Sequence, residues 1–235
     1  MYKYIIFDVD DTLLDFGCAF HTAQKAIANK LGIDLSKDYM ELDEKTGWRA
    51  WKESGLDNTE SEEIQQNYHT YYYQYLKKHY LYLIQGLGLD MCVDELVEEY
   101  INSISASKVL MESYTLQVYR KLAERFRLAL ATNGIEKIQI ERVSAFLPYT
   151  YKTYISESVE CIKPSKQFFE YVIGDLQCNP KECLMIGDSI TNDILGAKAA
   201  GMDVCFYNIK KKDVPKELAV DFVINSIREL ENILL

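Results

Sequence analysis

The stretch Tyr4-Ile5-Ile6-Phe7-Asp8-Val9-Asp10-Asp11-Thr12 sets the reading of this chain. Four apolar residues with little alternation run straight into acids. A strand covered on both faces reads as such a continuous apolar run, and its end is where a parallel sheet delivers polar groups. The run is too short for the apolar region of a secretory leader, and acids follow it at once.

Outward from this strand the pattern changes character twice. From about 19 to 106 the chain reads as helices only. Ala19 to Leu31 has helical spacing and stops at Gly32. Thr59 with Glu62 forms a capping-box pattern that is expected to open a long helix through the tyrosine-rich stretch, with Gly86 and Gly88 breaking it. Val93 to Ser105 reads as a further helix.

After about residue 114, helices and strands alternate. Arg127 to Thr132, Lys152 to Ser156, Glu182 to Asp188, Asp203 to Tyr207 and Phe222 to Ile224 read as strands. Glu136 to Ala145, Ser165 to Gly174 and Asn192 to Ala200 read as helices, and Ser226 with Glu229 is expected to cap a last one. Such alternation implies right-handed crossovers and a parallel α/β sheet. The expected organisation is a three-layer Rossmann-like core from residues 1–17 and 107–235. An all-helical insertion, 18–106, interrupts it after the first strand.

Composition bounds the chemistry. The 235 residues are 48% apolar, enough for a real core, and carry 26 Lys and Arg against 36 Asp and Glu, a formal charge of −10. An acidic chain is a poor general binder of nucleic acid polymers or anionic membranes, because both need clustered Lys and Arg. No stretch is long and apolar enough for a membrane span. Cys18, Cys92, Cys161, Cys178, Cys183 and Cys205 form no C-x-x-C pair or zinc spacing, and His21, His69 and His79 form no metal pattern. Reduced thiols and a cytoplasmic location are the expectation.

In an open α/β sheet, ligands bind beyond the carboxyl ends of the strands. Asp8, Asp10, Asp11 and Thr12 stand there after the first strand, and Thr132, Asn133 and Gly134 after the second. Lys163-Pro164 precedes a helix, and Asp188 and Asp193 follow a later strand. Carboxylates crowded together cannot all ionise cheaply without a cation, and Mg²⁺, which takes oxygen ligands and keeps phosphate oxygens, suits them. Lys163 adds a positive charge, Thr132 a hydroxyl, and the turn amides near Asn133 and Gly134 an anion cradle. Such a cage suits a phosphoryl group. Aspartate is a known covalent nucleophile in phosphoryl transfer, and a second aspartate two residues on can act as acid and then base.

Asp8-Val9-Asp10-Asp11-Thr12, Thr132-Asn133-Gly134, Lys163-Pro164 and Gly187-Asp188 with Asp193 resemble, in order and spacing, the four motifs of the haloacid dehalogenase (HAD) superfamily. The block between the first two resembles its helical C1-type cap. The resemblance implies that Asp8 attacks phosphorus and Asp10 serves as general acid and base. It implies that Thr132 and the Asn133 amide hold phosphate, and that Lys163 neutralises nucleophile and phosphate. Asp8, the Asp10 carbonyl and Asp188 would hold Mg²⁺, with Asp193 behind them. The Asp11 position more often carries glycine in the family, which bears on the subfamily and leaves the chemistry intact.

Rival motif readings fail. An EF-hand loop counted from Asp8 would need glycine where Leu13 stands. Class II terpene cyclases, which share an acid motif of this type, are much larger helical proteins. A receiver domain has half this length and places its acid pair and acceptor aspartate on different strands. The dehalogenases themselves lack the second aspartate, so Asp10 favours phosphate chemistry.

The implied activity is hydrolysis of a small phosphate monoester. The motif block, with Asp15 and Phe16, is similar to the pyrimidine 5′-nucleotidase branch. A sugar-phosphate phosphatase or phosphomutase is the alternative, and a non-catalytic binder retaining the fold is a remoter one. Tyr68, Tyr72 and Tyr75 share one helical face; the ordinary reading of such a stripe is packing, and the functional one is stacking on a base. Asp15 and Phe16 are further candidates for contact with the leaving group. Lys210-Lys211-Lys212 reads as a solvated loop. Monomer and homodimer stay open.

Overall fold

The computed structural model describes residues 1–211, 214 and 218–235. Its elements, in chain order, begin with β1 (Tyr4–Phe7) and four helices: α1 (Phe16–Leu31), α2 (Lys37–Glu53), α3 (Glu62–Leu87) and α4 (Val93–Ala106). Then follow α5 (Thr115–Ala123), β2 (Arg127–Thr132), α6 (Glu136–Arg142), β3 (Lys152–Ile155), α7 (Ser156–Val159), α8 (Lys166–Leu176) and β4 (Cys183–Gly187). The chain closes with a π-helical turn at Ile190–Leu195, α9 (Gly196–Ala199), β5 (Asp203–Tyr207), β6 (Phe222–Ile224) and α10 (Glu229–Leu234).

Two compact units result. One joins Met1–Phe16 to Lys108–Leu235, and the other is Gly17–Ser107. In the first, six parallel strands lie in the order β3-β2-β1-β4-β5-β6. Strands β1, β2 and β4 read as near-continuous apolar runs because both faces are covered. Ile5, Phe7, Leu128, Leu130, Leu184 and Ile186 face one buried cluster. Their neighbours Tyr4, Ile6, Ala129, Ala131, Cys183 and Met185 face the other. The side-chain period of two sorts them to opposite faces, which makes three layers. The strand order reverses at β1, the point where ligands bind in such sheets.

The second unit is helical. Ser36 caps α2 by accepting the Tyr39 amide at 3.2 Å. The expected capping box at Thr59 and Glu62 does not form. Helix α3 starts at Glu62 with Ser61 at its N-cap and no side-chain cap bond. Gly86 sits inside that helix, where a Cβ would come within 3.1 Å of Leu42, and only left-handed Gly88 (φ 66°) ends it. Tyr68, Tyr72 and Tyr75 pack on one another, with Tyr72 and Tyr75 also edge-on to Trp51. The Tyr72 hydroxyl meets that of Tyr100 at 3.3 Å.

Other boundaries move for local reasons. Helix α6 ends at Arg142, and Ser165 is the N-cap of α8 rather than its first residue, accepting the Phe168 amide at 3.2 Å. The helix expected from Asn192 begins earlier, as the π turn. The last helix is capped two residues past the expected Ser226. The Glu229 carboxylate accepts from the Asn225 and Ser226 amides, and Arg228 occupies the cap position. All six cysteines are free thiols. Among the described residues no helix is long and apolar enough to cross a membrane.

Candidate active site

Asp8 leaves the end of β1 with its amide donating to the Ile186 carbonyl of β4 at 2.9 Å. Its carboxylate is nearly buried, and it accepts from Lys163 Nζ at 2.6 Å on one oxygen and from Thr12 Oγ1 at 3.1 Å on the other. Lys163 is itself 2% exposed. Its ammonium also donates to Asp193 at 2.7 Å and to the Ala131 carbonyl at 2.8 Å, so all three donors are used. Burial disfavours its charge, but Asp193 and Asp8 outweigh burial and push its pKa up.

Two loops are locked together to place that lysine. The Asn133 side chain donates to the Lys163 carbonyl and accepts from the Lys163 amide, both at 2.8 Å. This side chain thus has a bracing contact that its place in an ordinary turn sequence does not reveal.

Asp193 arrives through the π turn, whose backbone carries Asp193 and Ile194 amides to the Ser189 carbonyl at 3.0 and 3.2 Å. Single π turns of this kind cluster at functional sites. One Asp193 oxygen takes the Ser189 amide at 3.0 Å while the other takes Lys163. Gly187 makes room for it: a Cβ there would overlap the Asp193 carboxylate.

Asp8, Asp188 and Asp193 each present an oxygen within 4.8 Å of the others, a grouping that could hold a metal ion. The electrostatics suit a positive charge at this place. Burial, then Asp8, Asp193 and Asp11, push Asp188 up to about 7. Burial raises Asp8 as well, against Lys163 and with Asp193. A hard divalent ion with oxygen ligands would relieve both.

Asp10 points to a different pair of partners. Gln139 Nε2 donates to it at 2.8 Å and also to Thr132 Oγ1 at 2.8 Å, and the Arg142 guanidinium pairs with its other oxygen. Burial raises the Asp10 pKa while Arg142 opposes this. Neither Gln139 nor Arg142 was visible as a site residue in the sequence. Both lie inside helix α6, where polar residues ordinarily face water, yet here they are 2% and 1% exposed. Phe16 stacks near this guanidinium, 5.7 Å from ring centre to Arg142 Cζ.

Lys210 is exposed, as a solvated-loop residue is, and has partners besides. It donates to Asp11 at 2.5 Å and lies 3.9 Å from Asp188. Lys211 is exposed, and Lys212 lies outside the described residues. Asp11 adopts φ 59°, the left-handed conformation that glycine takes freely and aspartate tolerates. Its other oxygen accepts the Phe16 amide at 3.2 Å.

Asp8, Asp10, Thr132, Asn133, Lys163, Asp188 and Asp193, together with Ser189 and Asn192, line one pocket of about 140 Å³. Of the other predicted residues, Asp15 donates its amide to Val109 at 2.9 Å and does not line this pocket. Phe16 does not line it either, and Tyr68, Tyr72 and Tyr75 belong to the helical unit.

Comparison with known proteins agrees with this geometry. A family model described as haloacid dehalogenase-like hydrolase matches residues 2–201. The HAD-hydrolase YfnB of Bacillus subtilis (strain 168) is 31% identical over 240 residues, 99% of this chain and 95% of its own. Its magnesium-bound crystal structure superposes with a TM-score of 0.82 at 26% identity, covering 99% of this chain and 98% of that one. The pyrimidine 5′-nucleotidase PynA of Streptococcus pneumoniae (strain ATCC BAA-255 / R6) is 30% identical over 88% of this chain and 84% of its own. A glyceraldehyde 3-phosphate phosphatase of Methanothermobacter thermautotrophicus is 25% identical over the full length of both chains. The chain therefore belongs to the haloacid dehalogenase-like hydrolases.

Proposed function

We propose that this hydrolase is a Mg²⁺-dependent phosphatase of small phosphate monoesters, with a nucleoside 5′-monophosphate as its substrate. The observation that carries the reading is the convergence of three acids, Lys163 and Thr132 on one small polar pocket beside Asp10.

In the first step an Asp8 carboxylate oxygen attacks phosphorus. The bond from phosphorus to the leaving oxygen breaks, and Asp10 gives its proton to that oxygen. In the second step Asp10 takes a proton from water, the water oxygen attacks phosphorus, and the aspartyl–phosphate bond breaks to release phosphate and free Asp8. Lys163 stabilises the charge on Asp8 and on the phosphoryl oxygens, and Thr132 donates a hydrogen bond to one of them. Burial raises the Asp10 pKa, the direction a general acid needs, while Gln139 and Arg142 orient its carboxyl. Asp8, Asp188 and the Asp10 carbonyl would hold Mg²⁺, with Asp193 in support; when bound, it supplies positive charge against the phosphoryl oxygens and the crowded acids.

The nucleotide substrate is supported by PynA, named a pyrimidine 5′-nucleotidase and matched over most of both chains. A sugar-phosphate substrate is the second reading, favoured by the full-length match to a glyceraldehyde 3-phosphate phosphatase. A panel of nucleotides and sugar phosphates assayed for phosphate release separates them. Isomerised sugar phosphate in place of free phosphate would instead identify a mutase. Asp8→Asn is expected to abolish turnover with an unchanged circular dichroism spectrum; wild-type-like turnover sinks the nucleophile assignment. EDTA is expected to stop the reaction and added Mg²⁺ to restore it.

A further inference from the structure

The helical unit holds a cavity of its own, of about 530 Å³, between α1, α2 and α3. That volume falls in the range of ~300–1,000 Å³ typical of small-molecule pockets. Its walls are aromatic: Phe20 comes from α1, Trp48 and Trp51 from α2, and Tyr75 from α3. Trp48 is exposed at the rim, while Trp51 and Tyr75 are braced. Trp51 stands edge-on to Tyr75, ring centres 5.2 Å apart, and Tyr75 stacks on His79 at 5.9 Å.

The lining carries two acids among its polar groups. Asp43 and Glu44 contribute carboxylates, His79 lines the cavity against Asp43, and among the described residues no lysine or arginine joins them. The Asp43 side chain is 3% exposed and held in place: Gln24 Nε2 donates to one oxygen at 2.8 Å, and His79 Nε2 lies 3.0 Å from the other. Glu44 is exposed beside it. Gly47, one turn further along α2, is a buried glycine inside a helix, where glycine is disfavoured. A Cβ at that position would touch the His79 ring at 3.4 Å.

Aromatic faces carry negative charge density and attract cations, and planar cations most closely. Two acids among such faces repel a phosphate or a carboxylate. We propose that this cavity binds a planar organic cation, its ring against Trp48 and Trp51 and its nitrogen toward Asp43 and Glu44. The site is separate in chemistry from the Asp8 pocket, and it stands or falls independently of the phosphatase reading.

The chain offers a built-in reporter, because both of its tryptophans line this cavity. The full-length protein is titrated with benzamidine, benzamide and benzoate, three near-isosteres of charge +1, 0 and −1, while tryptophan emission is followed and calorimetry run in parallel. Benzamidine is expected to give a saturable change and to bind about tenfold tighter than benzamide. Benzoate is expected to give none. Glu44→Gln, a surface change that leaves the helix intact, is expected to weaken benzamidine about threefold, and Asp43→Asn to weaken it further. No saturable response to benzamidine, an equal response to benzoate, or an unchanged benzamidine affinity in Glu44→Gln overturns the proposal.

Discussion

Lys163 offers three protons, and three oxygens from two carboxylates and a strand carbonyl take them. Removing one partner of a buried ion pair costs about 3–5 kcal/mol, because the remaining charge stays buried without relief. Lys163→Met leaves Asp8 and Asp193 facing each other. A loss of that size is expected in urea unfolding at pH 8, and a loss under about 1 kcal/mol would show that the lysine does not hold the acids together. Gly187→Ala tests the same arrangement by geometry, since its methyl group displaces Asp193. A misplacement of about 1 Å in a catalytic site costs on the order of 10²-fold, so kcat/KM is expected to fall by about that factor with the fold retained. The acids and Lys163 were legible because strand ends in a parallel sheet are where ligand groups stand. Arg142, Gln139 and Lys210 were not. Arg142 and Gln139 meet Asp10 across 132 and 129 residues and Lys210 meets Asp11 across 199, and no local pattern encodes such pairings.

The two longest helices begin differently. Ser36 bonds the Tyr39 amide, while Ser61 makes no such bond. Ser36→Ala is expected to cost about 1 kcal/mol and Ser61→Ala close to nothing, read from thermal unfolding of each variant. Equal losses would mean that both caps act alike. Elements with one dominant physical cause were legible from sequence. Strands β2 and β5 fall where short apolar runs predict them, because both sheet faces exclude water there, and edge strand β6 falls where expected although Val223 is exposed. Helix ends were less so. Helix α3 opens from Ser61 with no side-chain cap bond to mark it, and in the π turn Asp193 reaches the Ser189 amide, a contact that hydropathy does not register.

Glu112 acts on the scale of the whole sheet-bearing unit. It accepts the Ile227 amide at 2.6 Å, Tyr207 at 2.9 Å and Ser226 at 3.0 Å, and also bonds Tyr114. One carboxylate thus ties the chain just past the helical insertion to β5 and to the last turn before α10. Burial pulls its pKa up, but the Ile227 amide and the three hydroxyls outweigh burial and hold it below the ordinary value. A carboxylate depressed in the folded state adds stability above its unfolded pKa, about 4.3, and loses it as pH falls through the folded value. Glu112→Gln is therefore expected to be less stable than wild type at pH 7, with the gap in urea midpoints closing as the pH drops below about 4. A gap independent of pH would remove the charge from the account. The strand order has a further consequence, for synthesis. The central strand β1 is made first, yet Asp8 and Lys163 are 155 residues apart and Tyr4 pairs with Cys183. At roughly 5–20 residues per second, the ribosome needs on the order of 10–40 s to supply that partner. Through that interval the apolar Tyr4–Phe7 segment waits without one flank of its sheet, while the helices of the insertion emerge complete. A nascent chain of this protein is therefore expected to carry a sticky first strand, and its yield at high translation load to depend on holdase capacity.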